Sequence, residues 1–172
     1  MIPPFNFMKW VEEHRAELKP PVCNKTVYNE GDFIIMAIGG PNTRKDYHDD
    51  PGEEFFYQLE GDMVLRIIDN GKPKDIPIKQ GEMFLLPAHI HHSPQRQANT
   101  VGLVIERKRQ PDELDGFLWY CDKCHTKLYE EFVSLKSIVK DLPPLFDRFW
   151  NSEEARTCKS CGYIMPLPES RK

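Results

Sequence analysis

The segment from Gly39 to Gly61 constrains this chain more than any other. A Gly39-Gly40-Pro41-Asn42 turn leads to a single imidazole, His48, then to an acidic turn, Asp49-Asp50-Pro51-Gly52, and then to Glu54, which opens a run of β-forming aromatics that stops at Gly61-Asp62. Gly and Pro punctuate the backbone, while Phe, Tyr and Leu favour a pleated, half-buried surface. A second piece downstream has the same character: Gly81 to Leu86, then Pro87, then His89, His91 and His92. Alternate residues of a strand face one side, so side chains on neighbouring strands converge inside a barrel. His48, Glu54 and His92 together offer one ion two imidazoles and a carboxylate from one side, leaving open positions of the kind Fe(II) uses.

The rest of the chain supports a β-core. Strand-like runs cover Phe33 to Ile38, Glu54 to Leu59, Met63 to Ile68, Asp75 to Ile78, Met83 to Leu86 and Val101 to Glu106, with short turns between them. Asp69-Asn70-Gly71 is a tight-hairpin signal, because Asn-Gly tolerates the positive φ of a type I′ turn. Many short strands at regular spacing predict a sandwich or barrel. Before them, Asn6 is placed to cap a helix carrying Phe7, Trp10, Val11 and Leu18 on one face, stopped by Pro20-Pro21. Beyond Pro111 the texture changes: a helix is expected over about Glu130 to Leu142, broken by Pro143-Pro144, with a further piece from Leu145 to Trp150.

Of the five cysteines, four form two Cys-x-x-Cys pairs, Cys121/Cys124 and Cys158/Cys161. Four thiolates at that spacing make a closed tetrahedral site for Zn or a single rubredoxin-like iron. His125 is adjacent, but four sulfurs already complete the set. Cys23 stands alone and reads as a small packing residue. The divided texture predicts a core domain over 1–115 and a small metal-stapled extension over 116–172. Arg44 lies four residues before His48 and Arg96 four after His92, so both are candidates to hold a substrate carboxylate, which Arg grips bidentately. Glu106 ends an apolar strand, and a buried carboxylate there is expected either to pair with an Arg or to act as an acid or base.

The two blocks resemble the paired motifs of the cupin superfamily. Glu54 is followed by six residues and Gly61; Gly81, five residues, Pro87 and His92 fall in register. The usual His-x-His is reduced to His48 followed by Asp49-Asp50, and His89 stands where the second motif normally has Gly. His89 and His91 are expected to pack or support, although either could substitute as a ligand. The resemblance implies a mainly β fold, a double-stranded β-helix or jelly-roll-like barrel, with flanking helices and the four-cysteine extension.

A narrower resemblance rests on Asp46-Tyr47-His48, Glu54 to Gln58, Phe84 to Pro87, His92-Ser93-Pro94-Gln95-Arg96, Trp119-Tyr120-Cys121 and the cysteine pairs. From Trp10 to Gly162 the chain is similar to the 3-hydroxyanthranilate 3,4-dioxygenase family, in its short form. The resemblance implies that His48, Glu54 and His92 bind Fe(II), and that Arg44 and Arg96 hold the substrate carboxylate. Glu106 would meet the hydroxyl and amine side of the ring, with Asn24 nearby. It further implies an extradiol-type opening of 3-hydroxyanthranilate by O2 to 2-amino-3-carboxymuconate semialdehyde, the route to quinolinate and NAD, by a homodimer. Two other readings share the pocket: a metal-dependent sensor or binding module for a small carboxylate, and a dioxygenase for another aromatic acid.

Composition limits the partners. A formal charge of -4 and a pI of about 5.9 do not provide the concentrated positive charge that phosphate backbones need. From Cys121 onward nine Lys and Arg face eight Asp and Glu, so the cysteine knuckles carry no basic surface for nucleic acid either. No apolar run approaches the roughly 20 residues that span a bilayer. Met1 to Lys9 lacks a basic stretch followed by an apolar one and a cleavage site, and a cytosolic protein is expected.

Overall fold

Each strand's alternation turns one row of side chains inward, and in this computed structural model two antiparallel sheets close over those rows. Residues 3–20, 23–28, 30–42, 44–136, 138–168 and 171 are described. One sheet contains β1 (Asn24–Tyr28), β2 (Phe33–Gly39), β4 (Glu54–Glu60), β7 (Met83–Leu86) and β9 (Val101–Arg107), in the order β1-β2-β9-β4-β7. The other contains β3 (Asp46–Asp49), β5 (Met63–Asp69), β6 (Lys72–Ile78), β8 (His92–Arg96), β10 (Asp115–Tyr120) and β11 (Lys127–Val133), in the order β11-β10-β3-β8-β5-β6. Met36, Phe56, Leu86 and Val104 from the first sheet pack on Met63, Leu65, Ile67 and Ile78 from the second. This is the expected mainly β cupin layout, with strand neighbours far apart in sequence, as a jelly roll requires.

The β5–β6 hairpin turns at Asn70 and Gly71, both at positive φ, and pairs Asp69 with Lys72, as the Asn-Gly signal requires. Asn6 caps α1 (Phe7–Glu13) by accepting from the Lys9 amide at 2.9 Å. The helix stops earlier than the apolar stripe implied. Val11 and Leu18 still bury together against Ala37 and Val101, Leu18 from the turn that follows. Pro21, half of the expected helix stop, and Thr43 lie outside the described residues.

The C-terminal expectation needs correction. The stretch read as a helix from Glu130 begins as strand β11, paired along its length with β10. Glu, Lys and Leu favour a helix locally, but an edge of β10 offers a full ladder of backbone partners, and tertiary pairing overrides a weak propensity. α2 (Ile138–Trp150) then runs through Pro143 and Pro144. Its Leu142, Leu145, Phe146, Phe149 and Trp150 fall on one face and pack on Phe117 and Trp119 of β10. That buried stripe, with Phe149 stacked on Trp119 at 4.4 Å, offsets the roughly 3 kcal/mol that a helical proline costs. Short α3 (Glu153–Arg156), capped by Ser152, leads into the second cysteine pair. The division at 115/116 falls at the first residue of β10, and β10 and β11 continue the six-stranded sheet. No helix among the described residues is long and apolar enough to cross a membrane.

Candidate active site and metal centres

Register places the candidate ligands. His48 on β3 stands directly opposite His92 on β8, and Glu54 on β4 directly opposite Glu106 on β9. The first pair comes from one sheet and the second from the other, so four polar side chains meet between the layers. Ligand atoms of His48, Glu54 and His92 lie within 4.8 Å of one another. The Nδ1–H of His92 donates to the Ile90 carbonyl at 2.9 Å, which turns Nε2 toward the Glu54 carboxylate, 2.6 Å away. His48 stacks on Phe117 at 5.1 Å and places Nε2 2.8 Å from Asp115, a carboxylate with no solvent exposure.

The donor set fits a divalent cation. Glu54 Oε2 is buried without a hydrogen bond, although His92 Nε2 is close; a buried carboxylate oxygen of that kind calls for positive charge. Two overlapping groups, His48/Asp50/Asp115 and Asp50/Glu54/Glu106, also have metal-like spacing. Both are already served by Arg109. Its Nη2 lies 2.6 Å from Asp115, 2.8 Å from Asp50 and 3.1 Å from Glu106. The trio of two imidazoles and Glu54 is the group whose donor atoms are left unclaimed by that guanidinium.

Electrostatics separates the carboxyls. Burial alone would raise Glu54, but His92, His48 and Arg109 outweigh it and hold it at about 2. Burial and the charge of Glu54 push Glu106 upward, against the pull of Arg109. Burial also raises Asp50 to about 7, in spite of Arg109 and the Gly52 amide that donates to it at 2.6 Å. Asp115 goes the other way: His48 and Arg109 overcome its burial and keep it below the ordinary range.

Arg96, four residues along β8 from His92, faces the same interior. It is 2% exposed, donates from Nη1 to Gln58 Oε1 at 3.1 Å, and leaves Nε without a partner. No carboxylate is paired with it among the described residues, and burial lowers its pKa to about 10. Gly102, opposite Gln58 on β9, makes room for it: a Cβ there would lie 2.6 Å from Arg96 Nη1 and 2.7 Å from Gln58 Oε1. Arg44 differs. It is half-buried, pairs with Asp46, and is near enough for Glu54 and His92 to feel its charge. Asn24, on edge strand β1, points its amide at the sulfur of Met36, 3.6 Å away, and no hydrogen bond ties it to the trio.

His89 and His91 are not brought to the trio. His89 adopts φ +61, the conformation that makes Gly usual at that turn, and meets Asp49 at 3.0 Å. His91 contacts the Tyr120 hydroxyl at 2.7 Å and the other oxygen of Asp49 at 3.5 Å. Sequence reasoning missed Arg109, Asp115 and Gln58. The available signal for Arg109 was an Arg three residues beyond a buried Glu at a strand end. A cleft of about 440 Å³ lies on the outer side of the six-stranded sheet, lined by Tyr47, Arg66, Ser93 and Gln95, and Arg44 borders it while still lying close enough to Glu54 to interact with its charge. The alternation of β8 keeps the cleft apart from His92 and Arg96.

The four cysteines converge near the C-terminus, their sulfurs within 4.8 Å of one another. Cys121 and Cys161 are 3.7 Å apart and Cys124 and Cys158 3.4 Å, near the roughly 3.8 Å edge of a tetrahedron with 2.3 Å metal–sulfur bonds. The knuckles are built alike. His125 and Gly162 follow the second cysteine of each pair at φ +61 and +74, and their amides donate back to Cys121 and Cys158 at 3.0 and 2.8 Å. His125 is thus a left-handed turn residue, the counterpart of Gly162. Cys23 lies apart, half-buried near the Pro41 carbonyl.

Comparison with known proteins shows the family of the chain. The family model of 3-hydroxyanthranilic acid dioxygenase matches residues 1–150. A protein of Xanthomonas euvesicatoria pv. vesicatoria named 3-hydroxyanthranilate 3,4-dioxygenase is 57% identical over 169 residues, covering 98% of this chain and 96% of its own. Proteins of the same name from a Jannaschia species and from Burkholderia cenocepacia are 56% and 52% identical, over 96% and 98% of this chain and 92% and 96% of their own. Among solved structures, a cupin-2 domain protein from Shewanella frigidimarina is 16% identical with a TM-score of 0.49, over 60% of this chain and 94% of its own. On the family match and these near-full-length identities, the chain belongs to the 3-hydroxyanthranilic acid dioxygenase family.

Proposed function

We propose that this protein opens the ring of 3-hydroxyanthranilate with O2, giving 2-amino-3-carboxymuconate semialdehyde, which leads to quinolinate and NAD. The observation that carries this reading is Arg96: a buried guanidinium without a carboxylate partner, on the same strand face as a metal-ligand trio. His92 and Arg96 are about 13 Å apart along β8. An Arg side chain and a small aromatic acid together span that distance.

His48, Glu54 and His92 would hold Fe(II), which supplies open positions for an aminophenol and dioxygen and a path for electrons between them. Arg96 takes the substrate carboxylate with Arg44 at the rim, and Gln58 keeps the Arg96 guanidinium oriented. Glu106, with its raised pKa, accepts the proton of the ring hydroxyl as substrate binds. Asp115 orients His48, and the Ile90 carbonyl orients His92. Phe56 and Phe117 line the trio and exclude water. Asn24 is assigned to the substrate and oxygen neighbourhood beyond Met36. Both atoms of dioxygen enter the product, so no external reductant is needed.

Residues 1–115 supply the reacting groups, and 116–172 add the strands and the cap that its four thiolates close around Zn or Fe in a reducing cytosol. The outer face of the five-stranded sheet exposes Phe33, Met83 and Leu85 beside half-buried Phe55 and Ile105. A second copy of the chain covering that face would account for so contiguous an apolar surface. Sedimentation of the native protein and of Met83→Glu tests this, since a dimer should give way to monomer.

The activity test is direct. Protein loaded anaerobically with Fe(II) is mixed with 3-hydroxyanthranilate and air. One O2 consumed per substrate, with the absorbance of a conjugated semialdehyde, is expected. Ligand-dependent stabilisation without oxygen uptake would instead indicate a binding module.

A further inference from the structure

Arg109 makes more charged contacts in this pocket than any residue assigned above, and it belongs to neither sequence block. Its Nη2 meets Asp50, Asp115 and Glu106, its Nε meets Asp115 at 2.9 Å, and its Nη1 donates to the Arg107 carbonyl at 3.0 Å. Burial works against its charge, but the three carboxylates outweigh that and hold its pKa above the usual range, so it does not act as a proton donor.

The three carboxylates differ in how they are tethered. Asp115 receives two of the guanidinium nitrogens and His48 as well, and Asp50 accepts the Gly52 amide at 2.6 Å. Both are anchors. Glu106 makes the longest contact with the guanidinium, 3.1 Å, shares a hydrogen bond with Asp50, itself held by Arg109, and sits in register with Glu54 on the neighbouring strand. Remove the guanidinium, and Glu106 loses both its direct cationic contact and the anchor of Asp50, its other hydrogen-bond partner, so nothing holds it in one place or offsets the charge of Glu54.

We infer that Arg109 is a positioning residue for the ring-opening reaction, held by Asp50 and Asp115 so that its remaining contact fixes Glu106 where the substrate hydroxyl proton must be taken. The inference rests on the reading of Glu106 as the base. Positioned proton transfer contributes about 10²- to 10⁴-fold in rate, and a displacement of about 1 Å costs about 10²-fold. The carboxylate clamp at Arg96 and Arg44 makes no contact with Arg109, so substrate capture should survive its loss.

The test is a double-mutant cycle on the iron-loaded protein, read by oxygen uptake with 3-hydroxyanthranilate and by iron content. Arg109→Gln should lower kcat per bound iron about 10²-fold and leave KM within about twofold. Arg109→Lys keeps a cation without the planar fork and should recover about tenfold of the loss. Because both residues act on one step, Glu106→Gln/Arg109→Gln should be no slower than Glu106→Gln alone. Unchanged kcat in Arg109→Gln, or losses that multiply in the double variant, would overturn the inference and leave the proposed function standing. If Arg109→Gln does not fold, Arg109→Lys carries the same test, with a loss of about tenfold that is again non-additive with Glu106→Gln. A native protein that consumes no oxygen removes the proposed function, and the inference with it. An active native protein whose Glu106→Gln form keeps full kcat removes the base, and so overturns the inference alone.

Discussion

Glu54 and Glu106 occupy one rung of the β4–β9 ladder, side by side and both turned into the interior, yet their environments drive them in opposite directions. Two imidazoles and an arginine hold the first well below the ordinary carboxyl range, while burial beside that charge raises the second. A pair of carboxyls pushed apart in this way suits the proposed division between a metal ligand and a base. Glu54→Gln should lose metal on dialysis, and turnover with it. Glu106→Gln should retain metal and lose about 10²- to 10³-fold in kcat. Metal analysis beside steady-state kinetics separates the two.

The proposed role of Arg96 in holding the substrate carboxylate implies a cost in stability. A guanidinium buried without a counter-ion is expensive, and an apolar side chain of similar volume avoids that cost. Arg96→Met should therefore melt at or above the native temperature when substrate is absent, while KM for 3-hydroxyanthranilate rises by about 10²-fold or more. Calorimetry with and without substrate shows both effects. A melting temperature well below native would mean that the Gln58 contact stabilises the charge more than burial opposes it.

The guanidinium also depends on what is missing opposite it. Gly102→Ala places a methyl 2.6 Å from Arg96 Nη1 and 2.7 Å from Gln58 Oε1, so one of the two must move. KM should rise by about tenfold with iron content unchanged, since a clamp moved by a fraction of an ångström loses part of its charge-assisted bonding. Substrate titrations under nitrogen measure the change without turnover.

Chelated protein should show an inverted acid response over the range where Asp50 titrates. Its folded pKa, about 7, lies above the usual carboxyl value, so the folded state holds its proton more firmly than the unfolded state does. That contribution is complete at low pH and is lost as pH rises from about 4 to about 7. Glu54 acts oppositely: depressed to about 2, it stabilises above the ordinary carboxyl range and fails as pH falls through that value. Asp50→Asn should flatten the decline toward neutral pH without altering the acid limb. Urea melts across the range provide the check.

The cysteine cap is predicted to be structural. Cys121 and Cys158 are buried, and the chain between the two pairs carries α2, whose aromatics pack on Trp119. Cys158→Ser should lower the melting temperature by about 5 °C or more and shift the fluorescence of Trp119 and Trp150. Turnover per iron in the protein that remains folded should change little. A loss of kcat in proportion to the missing sulfur would point to a role in the reaction itself.

The six strands expected from alternation, with the Asn70-Gly71 hairpin, stand where their apolar rows put them. The five that escaped notice are β1, β3, β8, β10 and β11. β8 reads His92-Ser93-Pro94-Gln95-Arg96, a sequence with little strand propensity, whose inward positions include His92 and Arg96 where a core strand would carry apolar side chains. β11 was hidden by helix-forming residues, and the prolines of α2 by the expectation that they break any helix.

What the sequence determined by itself is chemistry at fixed spacing: the trio of His48, Glu54 and His92, the thiolate pairs, and the two arginines beside the histidines. Motif spacing carries such information because a strand repeats every two residues and a knuckle every three. Partnership across the sheets was left to the tertiary structure, since it depends on register between segments far apart in the chain. Only the folded protein sets Arg109 among Asp50, Glu106 and Asp115, pairs Arg44 with Asp46 while leaving Arg96 without a carboxylate, and opens space above Gly102 for it. Those contacts decide which carboxyl keeps its charge, and local sequence carries no trace of them.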